Sequence, residues 1–257
     1  MKRSEINAAL KEMEEMIKEY RISLPPFCSF TPEEWKHKGK EYDEIRDNML
    51  GWDITDYGLG NFDRVGFSLI TLRNGNLKQR EKYPKTYAEK LLYIRQDQYS
   101  PMHFHWNKME DIINRGGGTL LIRVYNSTPE EGLDKDGDVQ VHLDGMAQTV
   151  KAGTQIRLMP GQSISIQPYM YHDFEVEPGT GAVLIGEVSQ CNDDNTDNRF
   201  YEKIGRFPEI EEDEAPYRLL CNEYPEAESE RGTETEKIPD GVSGNGPLTD
   251  MGAGEKQ

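Results

Sequence analysis

The chain has 257 residues, with 30 Lys and Arg against 47 Asp and Glu and a net charge of −17. So acidic a protein repels nucleic acid and anionic membrane surfaces, and it holds no run of about 18 apolar residues that could cross a bilayer. Its length suffices for one large β-domain with a helical extension, and small neutral or cationic molecules stay open as ligands.

The opening MKRSEINAALKEME lacks the apolar stretch of a secretory signal. Residues 4–20 read as an amphipathic helix. Ser4 is the expected N-cap, and Ile6, Leu10, Met13, Ile17 and Tyr20 form one apolar stripe at spacings of four and three. LPPF at 24–27 ends it. A second helix is expected from Thr31, with Pro32 at its first position and Glu34 closing a capping box, running to about Met49. Residues 1–50 thus form an N-terminal helical extension.

From Gly51 the period changes. Short runs of Val, Ile, Leu, Thr and Tyr alternate with Gly, Asn, Asp and Pro. Strands are expected at 66–73, 88–95, 101–106, 119–125, 138–143, 147–151, 155–158, 163–167, 173–177 and 182–189. Asp144 and Gly145 supply a two-residue hairpin turn. So many close-spaced strands predict a sandwich or closed barrel over 51–225, with the helices covering a face or edge. After Tyr224 large apolar residues almost vanish, and 226–257 reads as a disordered acidic tail. The cysteines Cys28, Cys191 and Cys221 show no CxxC pattern, so a reduced, cytoplasmic compartment is expected.

The segment PMHFHWNKMEDIINRGGG, 101–118, carries the chemistry. On a strand His103 and His105 share a face while Phe104 points away. Glu110 can return from the next turn, and His172 in QPYMYHDFEVE offers a further imidazole. Three imidazoles and one carboxylate, without thiolate, suit Mn²⁺, Fe²⁺, Co²⁺, Ni²⁺ or Zn²⁺ with positions left for a substrate. His142, before the hairpin turn, and His37, on the second helix, read as bystanders.

These motifs resemble the cupin superfamily. His103, His105, Glu110 and Gly117 match its first motif; GTQIRLMPG at 153–161 and then His172 match its second. In the second motif Pro168 precedes His172 by four, and Tyr169 and Met170 stand where a glycine is expected. The phrases LPPF, LGWDITDYG, TLRNG, YAEK, PMHFHW, KMEDIINRGGG, GEVS, NDDNTDN, EEDE and LCNEY are similar to those of bacterial D-lyxose ketol-isomerases, over residues 1 to about 225. That resemblance implies a mainly-β cupin-type barrel and an Mn²⁺-dependent, usually dimeric enzyme. It also implies interconversion of D-lyxose and D-xylulose, often of D-mannose and D-fructose too, with His103, His105, Glu110 and His172 holding the metal.

Aldose–ketose isomerisation needs a base for the carbon-bound proton and positive charge near a forming enediolate. A single metal site favours proton transfer over a hydride shift. The acidic run PEIEEDEAP, 208–216, could fold over the barrel mouth, and Glu212 is the expected base with Glu214 second. Lys90, on the strand before the histidine pair, is the expected cation beside the enediolate. Lys108 and Arg206 are the expected sugar contacts, and Asp194 and Asp197 are expected to cap turns. The rival readings are a cupin oxygenase using Fe²⁺ and a non-catalytic sugar-binding cupin.

Overall fold

The computed structural model describes residues 1–193 and 196–227. Asp194, and the tail beyond Ala227, lie outside the described residues.

Helix α1 spans Arg3–Glu19, and its stripe Ile6, Leu10, Met13 and Ile17 is buried as its spacing requires. Each side chain removed from water there stabilises the helix by about 1.5–3 kcal/mol. Ser4 is not the cap. Lys2 takes that position, and the Ser4 hydroxyl donates to Asp213 instead. Tyr20 leaves the stripe: it is half-exposed, and its hydroxyl accepts from the Gly117 amide.

The second helix is corrected from a long one to a single turn. Helix α2 covers only Pro32–Trp35, with the expected Thr31–Glu34 capping box. A 3₁₀ turn at Lys40–Tyr42 and helix α3, Asp43–Asp47, follow. The break falls at Gly39, and Arg46 donates to the carbonyls of Lys38 and Gly39 that the break leaves without helical partners.

Among the described residues, fourteen strands follow: β1 Gly51–Thr55, β2 Phe67–Arg73, β3 Tyr87–Ile94, β4 Tyr99–Phe104, β5 Glu110–Gly117, β6 Leu120–Ser127 and β7 Leu133–Asp134, then β8 Asp138–Leu143, β9 Met146–Lys151, β10 Gln155–Leu158, β11 Ser163–Ile166, β12 Met170–Val176, β13 Val183–Gln190 and β14 Arg199–Phe200. They form two antiparallel sheets, in the orders β1-β2-β3-β13-β5-β11-β8-β9 and β10-β6-β12-β4-β14, with β7 on β6. This is the mainly-β, cupin-type architecture expected. Strands β1, β5, β7 and β14 are additions to the expected set. β5 escapes notice because Glu110, Asn114 and Arg115 interrupt its apolar alternation.

Two cores result. Leu69, Leu92, Ile112, Ile122, Phe174 and Ile185 belong to the one between the sheets. The other packs the α1 stripe on Trp52, Ile54, Ile70, Leu91 and Leu184, the outer side of the larger sheet. Strand alternation assigns the two sides, and that parity decides which polar residues point inward.

Candidate metal and sugar site

His103 lies on β4 and His172 opposite it on β12, in direct register. His105 follows β4, and Glu110 opens β5. The ligand atoms of the three histidines lie within 4.8 Å of one another. Glu110 Oε1 sits 3.3 Å from His105 Nε2 and 3.1 Å from His172 Nε2. All four side chains are buried.

Each imidazole is oriented by its other nitrogen. The Nδ1 atoms of His103, His105 and His172 lie 2.8, 2.7 and 3.1 Å from the carbonyls of Pro101, Asp197 and Met170. A carbonyl can only accept, so the ring proton resides on Nδ1 and Nε2 presents a lone pair. Burial, and then the neighbouring His172 and His105, hold His103 well below its ordinary pKa, so its ring is neutral. For Glu110, burial is the largest influence and opposes the charge, but the Lys108 ammonium together with His105 and His172 outweighs it and keeps the carboxyl well below the usual range. The Nε2 atoms of His105 and His172 are buried without a hydrogen-bond partner. Lone pairs facing a carboxylate cost about 1–3 kcal/mol each when unsatisfied, and a cation among them removes that cost. The residues fit a divalent ion with nitrogen and oxygen ligands.

The same cavity is lined by Lys90, Lys108, Glu187 and Arg206, with Tyr57, Phe174 and Phe200 as aromatic wall. Lys90 is buried and inward, because it shares the side of Leu92 and Ile94 on β3. Its ammonium lies 3.2 Å from Glu187 Oε1. Lys108 Nζ lies 2.7 Å from Glu110 Oε2 and 3.0 Å from Glu187 Oε1. Arg206 Nη2 donates to Asp53 Oδ2 at 2.6 Å.

Glu187 was missed by sequence reasoning. Its signal was present: in VLIGEVSQ an acidic residue falls on the inward parity of Val183 and Ile185. Asp197 does more than cap a turn. Its carboxylate accepts from the amides of Asn107 and Lys108, and its carbonyl faces His105, so it fixes the whole loop between the ligands. His142 and His37 are exposed, as expected.

Glu212 and Glu214 are not brought to the histidines. Glu212 pairs with Arg3 at 2.6 Å, and Glu214 accepts from Asn7 Nδ2 at 2.6 Å. This corrects the expectation of an acidic lid over the cavity. The positive end of α1, with Arg3 in its first turn, draws the acidic run to itself.

The profile of one family, described as D-lyxose isomerase, matches residues 1–224. The chain belongs to the D-lyxose isomerase family. It is 46% identical over 225 residues to the D-lyxose/D-mannose isomerase of Serratia proteamaculans, covering 87% of this chain and 98% of that one. The D-lyxose/D-mannose isomerase of Escherichia coli O157:H7 matches at the same identity and coverage. Among solved structures, the L-ribose isomerase of Acinetobacter sp. DL28 in complex with L-ribose superposes with a TM-score of 0.51 at 14% identity, over 79% of this chain and 93% of that one. That likeness is one of fold. As a member of this isomerase family the chain is an enzyme, which sets aside the oxygenase and the non-catalytic cupin. Among the described residues no helix is long and apolar enough to cross a membrane.

Proposed function

We propose that this isomerase is a divalent-metal-dependent enzyme interconverting D-lyxose with D-xylulose and D-mannose with D-fructose. The observation that carries the reading is the convergence of His103, His105, His172 and Glu110 beside a second carboxylate and two ammonium groups. The names of the relatives at 46% identity support the choice of sugars. The family resemblance supports Mn²⁺, and the same ligand set accepts Co²⁺, Fe²⁺, Ni²⁺ or Zn²⁺. When bound, the ion supplies Lewis acidity for the carbonyl and for charge developing on O1 and O2.

The chain's own residues do the proton work. One proton must move between C1 and C2, another between O1 and O2. With Glu110 among the ligands, Glu187 is the cavity carboxylate placed to take the carbon-bound proton and return it to the neighbouring carbon. One base acts on one face, so the route runs through the cis-enediolate, and lyxose and mannose share the C2 configuration it requires. Lys90 and Lys108 set positive charge where the enediolate oxygens become negative, and their ammonium protons can pass between O1 and O2. Arg206, steadied by Asp53, is a donor to sugar hydroxyls. A cytoplasmic homodimer belongs to the same reading; the three cysteines, buried and unbonded, accord with a reducing compartment.

Chelator-stripped protein should be inactive on D-lyxose and regain turnover with Mn²⁺, and His103→Ala should abolish the recovery. Turnover by the stripped enzyme would refute metal dependence. Glu187→Gln should lower kcat by about 10²–10⁴-fold while binding Mn²⁺ in calorimetry like the parent. A kcat near the parent's would remove Glu187 as the base.

A further inference from the structure

The inner side of the larger sheet carries polar residues among its apolar ones. On β1, Trp52 and Ile54 pack outward beneath α1, so Asp53 between them points inward. On β2, Phe67 and Leu69 belong to the interior core, and Thr71 shares their side. Lys90 stands opposite Thr71, and Glu187 opposite Lys90. On the next pair Ser189 stands opposite Glu110. A staggered polar row therefore crosses five strands, from Glu110, two residues along from the partner of Glu187, to Asp53, which stands opposite Leu69 rather than Thr71. It is buried throughout, with Thr71 at 6% and Asp53 at 3% exposure.

Two cavities open on this row. Glu110, Glu187 and Lys90 line the first, and Thr71 and Asp53 line the second. The side-chain contacts between them include Arg206 with Asp53 at 2.6 Å and Lys108 with Asn192 at 3.2 Å. Strand β2 also bulges just after Thr71, since Thr71 pairs with Lys90 but Arg73 with Glu89. A bulge re-aims the side chains beside it and is common next to active sites.

A sugar gripped by O1 and O2 among the histidines and Glu110 can extend its further hydroxyls along this row. Two strand spacings of about 4.8 Å separate the strand of Glu110 from that of Lys90. An extended pentose, with four C–C bonds of about 1.5 Å and a hydroxyl at each end, is used up over that distance. The sixth carbon of a hexose carries its hydroxyl onward, toward Thr71.

Building on the sugar-isomerase reading above, we propose that Thr71 is the specificity-determining residue at the far end of the site. It receives the terminal hydroxyl of a six-carbon sugar, which a five-carbon sugar is too short to deliver.

The test uses the full chain with Mn²⁺ and compares Thr71→Val, which keeps shape and loses the hydroxyl, with Thr71→Ser, which keeps the hydroxyl. Thr71→Val should lower kcat/KM for D-mannose about fivefold, the loss of one hydrogen bond, and leave D-lyxose within about twofold. Thr71→Ser should restore D-mannose. In calorimetry, Thr71→Val should weaken D-mannitol by a similar factor and leave D-arabinitol, one carbon shorter, unaffected. Equal losses on both sugars, or an unchanged ratio of the two alcohols, would overturn the inference. A parent protein that isomerises neither sugar would overturn the isomerase reading, while the alcohol affinities still decide whether Thr71 reads chain length.

Discussion

Tyr169 stands where the second cupin motif calls for glycine, and it adopts the backbone that glycine would supply, with φ at 63°. For an L-residue this left-handed conformation costs roughly 1–2 kcal/mol. The surroundings hold it there. Its amide donates to the His105 carbonyl, its carbonyl accepts from Ser127, and its ring packs against Phe104 at a centroid distance of 5.3 Å. The loop shape that carries His172 into the barrel is therefore kept without the glycine. This reverses the usual ranking of small residues. Tyr169→Gly should be more stable than Tyr169→Ala by about 1 kcal/mol, read from denaturant unfolding of the two variants. The opposite order would mean that the ring contact, not the backbone, governs this position. Lys90, the expected cation beside the enediolate, is turned into the barrel by its alternation with Leu92 and Ile94.

Helix α1 is held by more than its apolar stripe. Arg3 is buried between Glu212 and Glu223, Ser4 binds Asp213, and Asn7 binds Glu214 and the Ala215 carbonyl. The acidic run that suggested a catalytic lid is thus the strap that ties the C-terminal segment to the first helix. The hydrogen bond from Arg3 is the main reason the Glu212 carboxyl lies below its ordinary pKa. A carboxyl depressed on folding binds protons less readily than in the unfolded chain. Its contribution is complete above the unfolded value of about 4.3 and fades as pH falls through the lower folded value. Arg3→Met should cost roughly 2 kcal/mol at pH 7 and flatten the fall of the thermal midpoint between about pH 5 and 3. An unchanged acid limb would show that this ion pair carries none of the acid sensitivity. Turnover per folded molecule should stay near the parent's, since Arg3 lies on the outer side of the sheet.

At the scale of the molecule, one sheet separates two jobs. Its outer side binds α1 and the returning C-terminal segment, and its inner side carries the polar row and shares the ligand set with the smaller sheet. The returning segment ends on Tyr224, whose ring stacks on Trp35 at 4.0 Å and whose hydroxyl donates to the Leu50 carbonyl. The family match also stops at residue 224. We propose a domain boundary near 225, the reading that the change of composition after Tyr224 suggests. A chain ended after Pro225 should keep its thermal midpoint within about 2 °C, the shift expected from well under 1 kcal/mol, and its kcat on D-lyxose. Ending it after Gly205 should abolish folding, because α1 then loses Leu220, Tyr217 and the partners of Arg3.

The sequence by itself determined the local elements with a strong period and the ligand types. The α1 stripe, the capping box at Thr31, the Asp144–Gly145 hairpin and most strands rest on spacing within a few residues, and spacing is written in the chain. So is the histidine pair, because two residues apart on a strand means one face. What only the tertiary structure decided depends on partners distant in sequence. Glu187 became a site residue because β13 pairs with both β3 and β5, which sets it beside Lys90 and Lys108. Glu212 and Glu214 left the site because a helix N-terminus some two hundred residues away competes for them. Residues 36–39 broke a helix whose pattern looked continuous, because Arg46 satisfies the freed carbonyls. A charged side chain settles where its charge is best compensated, and that place is chosen by the whole fold.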